Sequence, residues 1–493
     1  MGGLETFQGQ FFDTLDFLND LLWGKVLIFL LLAVGMLFTL GSRFVQFRYF
    51  GRMFSVFQEA FHHEADHLSS FQALALSLAG RVGAGNIAGV AVAITLGGPG
   101  AIFWMWMVGL IGMATSFFEC LLAQLFKTAE PDGTYRGGPA YYIYRGLGQR
   151  WLASLFSVLL LITFSFGFNS VQAYTVAMSC QDTFGISPQI TGGILLTAFG
   201  LVIFGGIKRI AEFAELVVPA MALGYFLMAL FVSLKNFGEI PGVFGSIFQS
   251  AFGLNQAISG GIGVVILFGV KRGLASNEAG LGSSPNVAAI AFVEHPVSQA
   301  ITQAFGVFVD TIVLCSCTAV IILLSGVYQT GGEVAGVTLT QAAMAEHIGD
   351  SGRAFVTVAL ILFAFTSIVC NYYYGENSLN FFSEENQTLF NIFRVLALLL
   401  VFWGSTQDLR AVLTFADFTM GLLALVNLAA LVMLFRLGLQ VVQDFDQQIQ
   451  AGIQNPVFDS RKFISVNLDQ QVWLRNDQQP TESTDTETEP CVN

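Results

Sequence analysis

The stretch Gly80-Arg-Val-Gly-Ala-Gly-Asn-Ile-Ala-Gly89 interrupts a long apolar segment near its middle. A continuous helix gains nothing from so many glycines, because each costs about 1 kcal/mol relative to alanine in a helix interior. A second apolar segment carries a similar interruption, Gly269-Val-Lys-Arg-Gly-Leu-Ala-Ser-Asn-Glu-Ala-Gly280. The two stretches therefore predict two helices that unwind within otherwise apolar segments.

The composition around these stretches is that of a membrane protein. Of the 493 residues, 54% are hydrophobic and 11% are charged, whereas a soluble domain carries about 25% charged residues. A helix needs about 20 apolar residues to cross roughly 30 Å of hydrocarbon. We predict an all-α integral membrane protein with 11 transmembrane helices. The predicted spans lie near residues 22–41, 70–98, 99–126, 151–178, 187–206, 211–234, 258–290, 298–325, 351–370, 388–405 and 409–435.

The two interruptions also resemble each other. Arg81-x-x-Ala84-x-Asn86 aligns with Arg272-x-x-Ala275-x-Asn277, and five predicted spans begin at each. Because an odd number of spans reverses the direction of entry, we predict a five-plus-five inverted repeat with a broken first helix in each half. The first repeat is placed at 70–234 and the second at 235–435.

Two regions lie outside the predicted repeats. Residues 1–69 are expected to hold an extra N-terminal transmembrane helix, followed by an amphipathic helix from Phe44 to Phe61 at the membrane interface. Residues 436–493 are Gln-rich and acidic, so we expect a cytoplasmic and largely disordered tail.

The charge distribution predicts an orientation and argues against other partners. With the N-terminus outside and the C-terminus in the cytoplasm, fourteen Lys and Arg residues lie on the inner side and four on the outer side. We therefore expect a multi-pass protein of the cell membrane. No basic cluster indicates nucleic acid, and His62, His63 and His67 lie among acids on a polar stretch that is typical of a solvated face. A monomer suffices for the predicted site, and the sequence leaves the oligomeric state open.

Paired broken helices in inverted repeats indicate the binding site of a secondary transporter. Free amides at a helix break attract a carboxylate, and glycine permits its close approach. Gly85 is expected to contact the substrate rather than to serve helix packing. The candidate substrate-binding residues are Ala84, Gly85, Asn86, Asn169, Gln172, Ala275, Ser276 and Asn277. For Asn169 and Gln172, hydrogen bonding between helices is the alternative.

Carbonyl and hydroxyl oxygens released at a break can coordinate a hard monovalent cation. The candidate metal ligands are Val82, Asn86, Thr366 and Ser367, with sodium as the expected ion. The alternative for the two hydroxyls is bonding to the preceding turn of their own helix. Asp310 and Glu278 lie within apolar spans, where a proton or cation relay is one interpretation. Structural pairing with Arg81, Lys271 or Arg272 is the other.

Five ordered motifs carry a resemblance to the alanine or glycine:cation symporter family. They are residues 80–90, 96–106, 137–143, 276–285 and 371–377, within a match covering roughly 20–435. The resemblance implies sodium-coupled uptake of small neutral amino acids and a five-plus-five fold, with the coupling ion as the only cofactor. It also implies that Ala84 and Gly85 offer amides to the substrate, while Gln172 faces it. Asn86 would serve one ion site, and Val82 with Thr366 and Ser367 a second.

Three other functions are weighed against this one. Proton coupling is the principal alternative, because Asp310 and Glu278 are present. An ion channel is disfavoured because no repeated filter loop is visible. We expect no enzyme activity.

Overall fold

The computed structural model describes residues 13–54, 68–130, 133–204, 206–253, 261–330, 336–383 and 386–473. Nearly all of these residues are helical, as expected for a chain that must satisfy its backbone groups within apolar segments. The strands within the described ranges are β1 (Thr128–Ala129) and β2 (Tyr135–Arg136), which pair antiparallel. Two short helical turns, Val45–Arg48 and Phe50–Met53, occupy the start of the predicted amphipathic helix. Residues 55–61 of that helix and the His62, His63 and His67 cluster lie outside the described residues.

Within the described residues, sixteen helices of five or more residues follow one another. The first eight are α1 (Asp13–Gly41), α2 (Ser70–Arg81), α3 (Gly85–Gly97), α4 (Gly100–Leu125), α5 (Pro139–Leu147), α6 (Arg150–Phe184), α7 (Pro188–Ile203) and α8 (Gly206–Lys235). The others are α9 (Ile240–Ala251), α10 (Gly261–Asn277), α11 (Ser284–Ala288), α12 (Pro296–Ser325), α13 (Val337–Ile348), α14 (Asp350–Asn380), α15 (Gln387–Ser405) and α16 (Leu409–Gln450).

Among the described residues, eight helices are long and apolar enough to cross a membrane, or nine if the bent pair α2 and α3 forms one span. Two more predicted spans coincide with α7 and α10, which have 16 and 17 residues. Both are shorter than the roughly 20 residues of a full transmembrane helix. The structure thus shows a multi-pass helical membrane protein, while the count of 11 remains a prediction.

The core is built from pairs of long helices. Helix α4 packs against α12 and α10, and α6 packs against α14 and α15. Helix α7 also packs against α15. The pairs α4–α12, α6–α14 and α7–α15 each join helices predicted to be counterparts in the two halves. A two-fold axis within the membrane would bring counterparts together in this way, and the inverted repeat itself stays a prediction.

The tail differs from the expectation of disorder. Helix α16 continues to Gln450, and the following chain returns to contact other parts of the protein. Phe458 N donates to Glu294 O at 2.9 Å, and Trp473 Nε1 donates to Leu125 O at 3.2 Å. Both aromatic side chains are buried, so burial of apolar surface orders this polar segment. The prediction is wrong for residues 436–473, and residues 474–493 lie outside the described ranges.

Candidate functional site

The first break lies between α2 and α3, whose axes differ by 52°. Val82, directly after α2, has an extended backbone (φ −79°, ψ 95°). Gly83 N donates to Asn86 Oδ1 at 3.0 Å, and Ala84 N donates to Gln172 Oε1 at 2.8 Å. Side-chain amides therefore satisfy two backbone groups that a continuous helix would have paired.

The second break lies between Asn277, which ends α10, and Ser284, which begins α11. Glu278 adopts φ +57°, a left-handed conformation that is costly for a residue with a Cβ atom. Gly280 N and Gly282 N each donate to one carboxylate oxygen of Glu119 on α4, both at 2.9 Å. This buried carboxylate holds the unwound segment in place by charge-assisted hydrogen bonds.

Arg81 ties the two breaks together. Its Nε donates to Ser284 Oγ at 2.9 Å, at the start of α11, and its Nη2 donates to Ser116 Oγ at 2.9 Å. Its Nη1 donates to Gln303 O at 3.1 Å on α12. The end of α2 is thereby anchored to α4, α11 and α12 through one side chain.

One cluster of oxygens joins α2 to α14. Ser367 Oγ lies 2.9 Å from Ala79 O and 3.2 Å from Val82 O, at the end of α2. It also lies 2.9 Å from Phe363 O in its own helix, and Thr366 Oγ1 lies 2.9 Å from that same carbonyl. Ser367 thus makes hydrogen-bond contacts between helices. Thr366 bonds only within its own helix among these contacts, which is the alternative that the sequence had left open for both hydroxyls.

A second cluster surrounds Asp310 on α12. Asn86 Nδ2 donates to Asp310 Oδ1 at 2.7 Å. Ser276 Oγ and Thr311 Oγ1 donate to Asp310 Oδ2 at 2.9 and 2.7 Å. All four side chains are fully buried. The carboxylate therefore meets one residue from each broken helix.

A cavity of about 50 Å³ lies beside the two breaks. Its floor and walls include Ala84, Gly85, Gln172, Ala275 and Glu278. The apolar part of the wall comes from α3, α6 and α16, through Val92, Phe168, Val171, Leu413 and Ala416. The space exceeds the roughly 10–15 Å³ that one water molecule requires.

Asp417 on α16 also lines this cavity and neutralises two cations of α10. Arg272 Nη2 lies 2.6 Å from Asp417 Oδ1 and 2.5 Å from Oδ2. Lys271 Nζ lies 2.8 Å from Asp417 Oδ2. Arg272 and Asp417 are buried, so these charges compensate one another away from water.

The sequence matches the profile of the sodium:alanine symporter family over residues 9–460. The chain belongs to this family. The match includes the start of the tail, which the motif resemblance had placed outside.

Three relatives of this symporter cover most of its length. A Bacillus subtilis protein named "Probable sodium/glutamine symporter GlnT" is 44% identical, over 89% of this chain and 91% of the relative. The sodium/alanine symporter AgcS of Methanococcus maripaludis is 37% identical, over 86% of this chain and 95% of the relative. The sodium/proton-dependent alanine carrier protein of Bacillus sp. PS3 is 36% identical, over 80% and 92%.

Among solved structures, the fold is similar to that of a manganese transporter from Eremococcus coleocola. The TM-score is 0.53 at 14% sequence identity, and the likeness covers 80% of this chain and 90% of the other. At this identity the likeness concerns the fold alone.

The structure of this symporter brings most of the predicted site residues to the two breaks. Five of them line the cavity, and Asn86 and Ser276 join Asp310 instead. Asn169 lies apart, since its Oδ1 accepts from Asn371 Nδ2 at 2.9 Å, which is the interhelical alternative. Asn277 accepts from Ala279 N at 3.0 Å and so caps its own break.

Two expectations about individual residues are corrected. The carboxylate that pairs with Lys271 and Arg272 is Asp417 rather than Asp310 or Glu278. A Cβ atom on Gly85 would meet Ser276 Cα at 3.3 Å and Ala275 O at 3.4 Å. Gly85 thus permits close packing of α3 on α10, in addition to lining the cavity.

Three features escaped the sequence reasoning. Glu119 and Asp417 lie near the ends of predicted spans, where acids are common and carry no functional signal, yet both are buried at the site. The histidine cluster contains His63-Glu-Ala-Asp-His67, which has the His-Glu-x-x-His spacing of zinc proteases. The spacing of its residues is the signal that could have found this motif, which lies outside the described residues.

Proposed function

We propose that this symporter imports a small neutral amino acid, alanine or glycine, together with sodium by alternating access. The N-terminus lies outside the plasma membrane and the C-terminus lies in the cytoplasm. The observation that carries the proposal is the position of Ser367 Oγ, which lies within 3.2 Å of carbonyl oxygens from α2 and α14 beside the cavity.

The oxygen cluster at Ser367 suits sodium because its ligands are uncharged and need no protonation change. The carbonyls of Ala79, Val82 and Phe363 and the hydroxyls of Thr366 and Ser367 form the proposed site. Sodium entering between them replaces the hydroxyl hydrogen bonds with coordination by the same oxygens. Since α2 ends here, the ion holds α2 against α14, and its departure frees α2 to move.

The Asp310 cluster is the proposed second ion site. The Asp310 carboxylate and the Ser276 and Thr311 hydroxyls supply the oxygens, and Asn86 Nδ2 on the first broken helix donates to the same carboxylate. Hard cations prefer such oxygen ligands, and a buried carboxylate gains most from a neutralising cation. Occupancy of this site joins the two breaks between which the substrate binds.

The substrate is proposed to bind in the cavity with its carboxylate at the first break. In this structure Gln172 Oε1 accepts the hydrogen bond of the Ala84 N–H group. The substrate carboxylate would replace Gln172 as the acceptor of this hydrogen bond. Glu278 faces the same cavity and suits an ammonium group. A volume of about 50 Å³ and the nearby Phe168 and Val171 side chains favour alanine and glycine over glutamine.

Sodium binding at Ser367 is tested by the sodium dependence of alanine uptake in proteoliposomes. Ser367→Ala should raise the sodium concentration for half-maximal uptake several-fold, because one ligand is lost. Ser378→Ala is the matched control, since Ser378 lies in the same helix and its Oγ donates to Tyr374 O of that helix at 2.9 Å. An unchanged sodium requirement in Ser367→Ala would refute the assignment.

Competition by alanine, glycine and glutamine against labelled alanine tests the substrate class. We expect the first two to compete strongly and glutamine weakly. Enlarging the space with Val171→Ala should improve competition by glutamine relative to alanine. Strong competition by glutamine in the unmodified protein would contradict this assignment. It would instead indicate glutamine, the substrate in the name of the Bacillus subtilis relative.

Proton coupling is the second candidate, because Asp310 is a buried carboxylate and one relative is named as sodium/proton-dependent. Asp310→Asn keeps the size of the side chain and removes its charge and its titration. Under proton coupling, uptake driven by a pH gradient disappears in Asp310→Asn. Under the proposed sodium role, a pH gradient drives no uptake in either protein, and Asp310→Asn weakens sodium binding.

A further inference from the structure

A groove of about 380 Å³ lies between α2, α8 and α12, on the side of α2 away from the substrate cavity. Its walls run from Phe71 to Leu78 on α2, from Val218 to Phe226 on α8 and from Phe305 to Leu314 on α12. Every side chain that lines it within the described ranges is apolar. A buried water molecule needs two to four polar partners, which this lining does not offer.

The groove opens onto a face of α8 that is covered with exposed apolar side chains. Leu223 and Phe226 line it and are 57% and 39% exposed, and Leu227 and Leu230 continue the same face at 52% and 42%. Helix α8 belongs to the helices long and apolar enough to span a membrane. The groove is therefore continuous with a surface that lipid hydrocarbon covers.

The depth of the groove fits one leaflet. Phe71 and Leu78 are seven positions apart on α2, a rise of about 10 Å, within the roughly 15 Å that half of a 30 Å hydrocarbon core provides. At the Phe71 end, Gln72 Nε2 donates to Glu215 Oε2 at 2.9 Å and forms a polar rim.

We propose that this groove binds one acyl chain of a phospholipid from the leaflet that meets the start of α2. The chain lies along the apolar walls, and its headgroup lies beyond the polar rim at Gln72. One face of α2 then packs on lipid, while its other side carries the Ala79 and Val82 carbonyls that face Ser367. The bound chain thereby supports the helix that ends at the first break.

The test is photo-crosslinking with the full-length protein in phosphatidylcholine vesicles. The probe is phosphatidylcholine that carries a diazirine within one acyl chain. Adducts should be enriched on peptides that contain 71–78 and 305–314, relative to the exposed lipid-facing residues around Leu201 on α7. This readout does not involve transport, so a failure of the lipid proposal can be distinguished from a failure of the proposed symport.

A pair of variants on α8 distinguishes the groove from ordinary contact with bulk lipid. Ala222 lines the groove, whereas Ala220 is exposed and does not line it. Ala222→Phe should reduce adducts on 71–78 and 305–314 several-fold, and Ala220→Phe should leave them unchanged. If Ala222→Phe is not monodisperse, Val309→Phe fills the groove from α12 and serves the same comparison. Equal groove adducts in the filled and control variants, or no enrichment over Leu201, would overturn the proposal.

Discussion

Arg272 on α10 and Asp417 on α16 are joined across the top of the cavity by two hydrogen bonds of 2.6 and 2.5 Å. Lys271 shares the same carboxylate at 2.8 Å. One acid therefore compensates two neighbouring cations and connects a broken helix to α16. Its removal leaves more uncompensated charge than removal of either cation.

Asp417→Asn is expected to destabilise the protein more than Arg272→Gln. Breaking a buried ion pair by removing one partner costs about 3–5 kcal/mol, and Asp417→Asn leaves both cations without their carboxylate. Arg272→Gln leaves Asp417 paired with Lys271. Thermal unfolding of both purified variants measures the difference. A lower midpoint for Arg272→Gln than for Asp417→Asn would show that Asp417 does not neutralise both cations.

The predicted orientation is tested by labelling single cysteines in intact cells. Ser187 lies between α6 and α7, and Gln149 lies between α5 and α6. In a background of Cys180→Ser, Ser187→Cys should react with an impermeant maleimide, because the Lys and Arg bias places this loop outside. Gln149→Cys should react only after the membrane is permeabilised. The opposite pattern would reverse the assigned orientation.

The stability of the packed tail (residues 451–473) should depend on pH through Lys127. Its Nζ donates to Ala291 O at 2.8 Å and lies 4.2 and 5.2 Å from the ring centroids of Tyr135 and Trp473. Burial nevertheless lowers the pKa of Lys127 from 10.5 to about 7. At a pH between these two pKa values, the protein with its tail packed binds fewer protons than the protein with its tail released. The free energy of tail packing therefore becomes more favourable as the pH rises from 7 towards 10.

Limited trypsin cleavage after Arg461 and Lys462 measures release of the tail. Lys127→Met is the matched control and is cleaved at the same pH values. The cleavage rate of the unmodified protein, divided by that of Lys127→Met, should be lower at pH 9 than at pH 7. Trp473→Ala should speed cleavage at both values, because it removes the hydrogen bond to Leu125 O. A cleavage ratio between protein and control that does not change with pH would contradict the role of Lys127.

The sequence was informative where a local pattern is incompatible with a plain apolar helix. The glycines of 80–89 indicated the first break. Those of 269–280 indicated the second only approximately, because α10 continues through Gly269 and Gly273 to Asn277. The Thr366-Ser367 pair stood out within an apolar run. These signals are local, because each depends on neighbouring residues that conflict with the composition of a transmembrane helix.

Contacts between distant residues left no such signal. Arg272 and Asp417 are 145 positions apart, and Glu119 lies 161 positions from Gly280. The order of the tail depends on Phe458 and Trp473, two aromatic residues that pack on each other within a largely polar segment. Their burial depends on surfaces of α4 and of the 291–295 segment, which only the fold brings to them.

The central claim is sodium-coupled uptake of alanine, and its most direct test uses purified protein in proteoliposomes. An inward sodium gradient should drive accumulation of labelled alanine above equilibrium, and replacing external sodium with choline should abolish it. An inward proton gradient without sodium should drive no accumulation. Accumulation that persists in choline and follows the proton gradient would contradict the account.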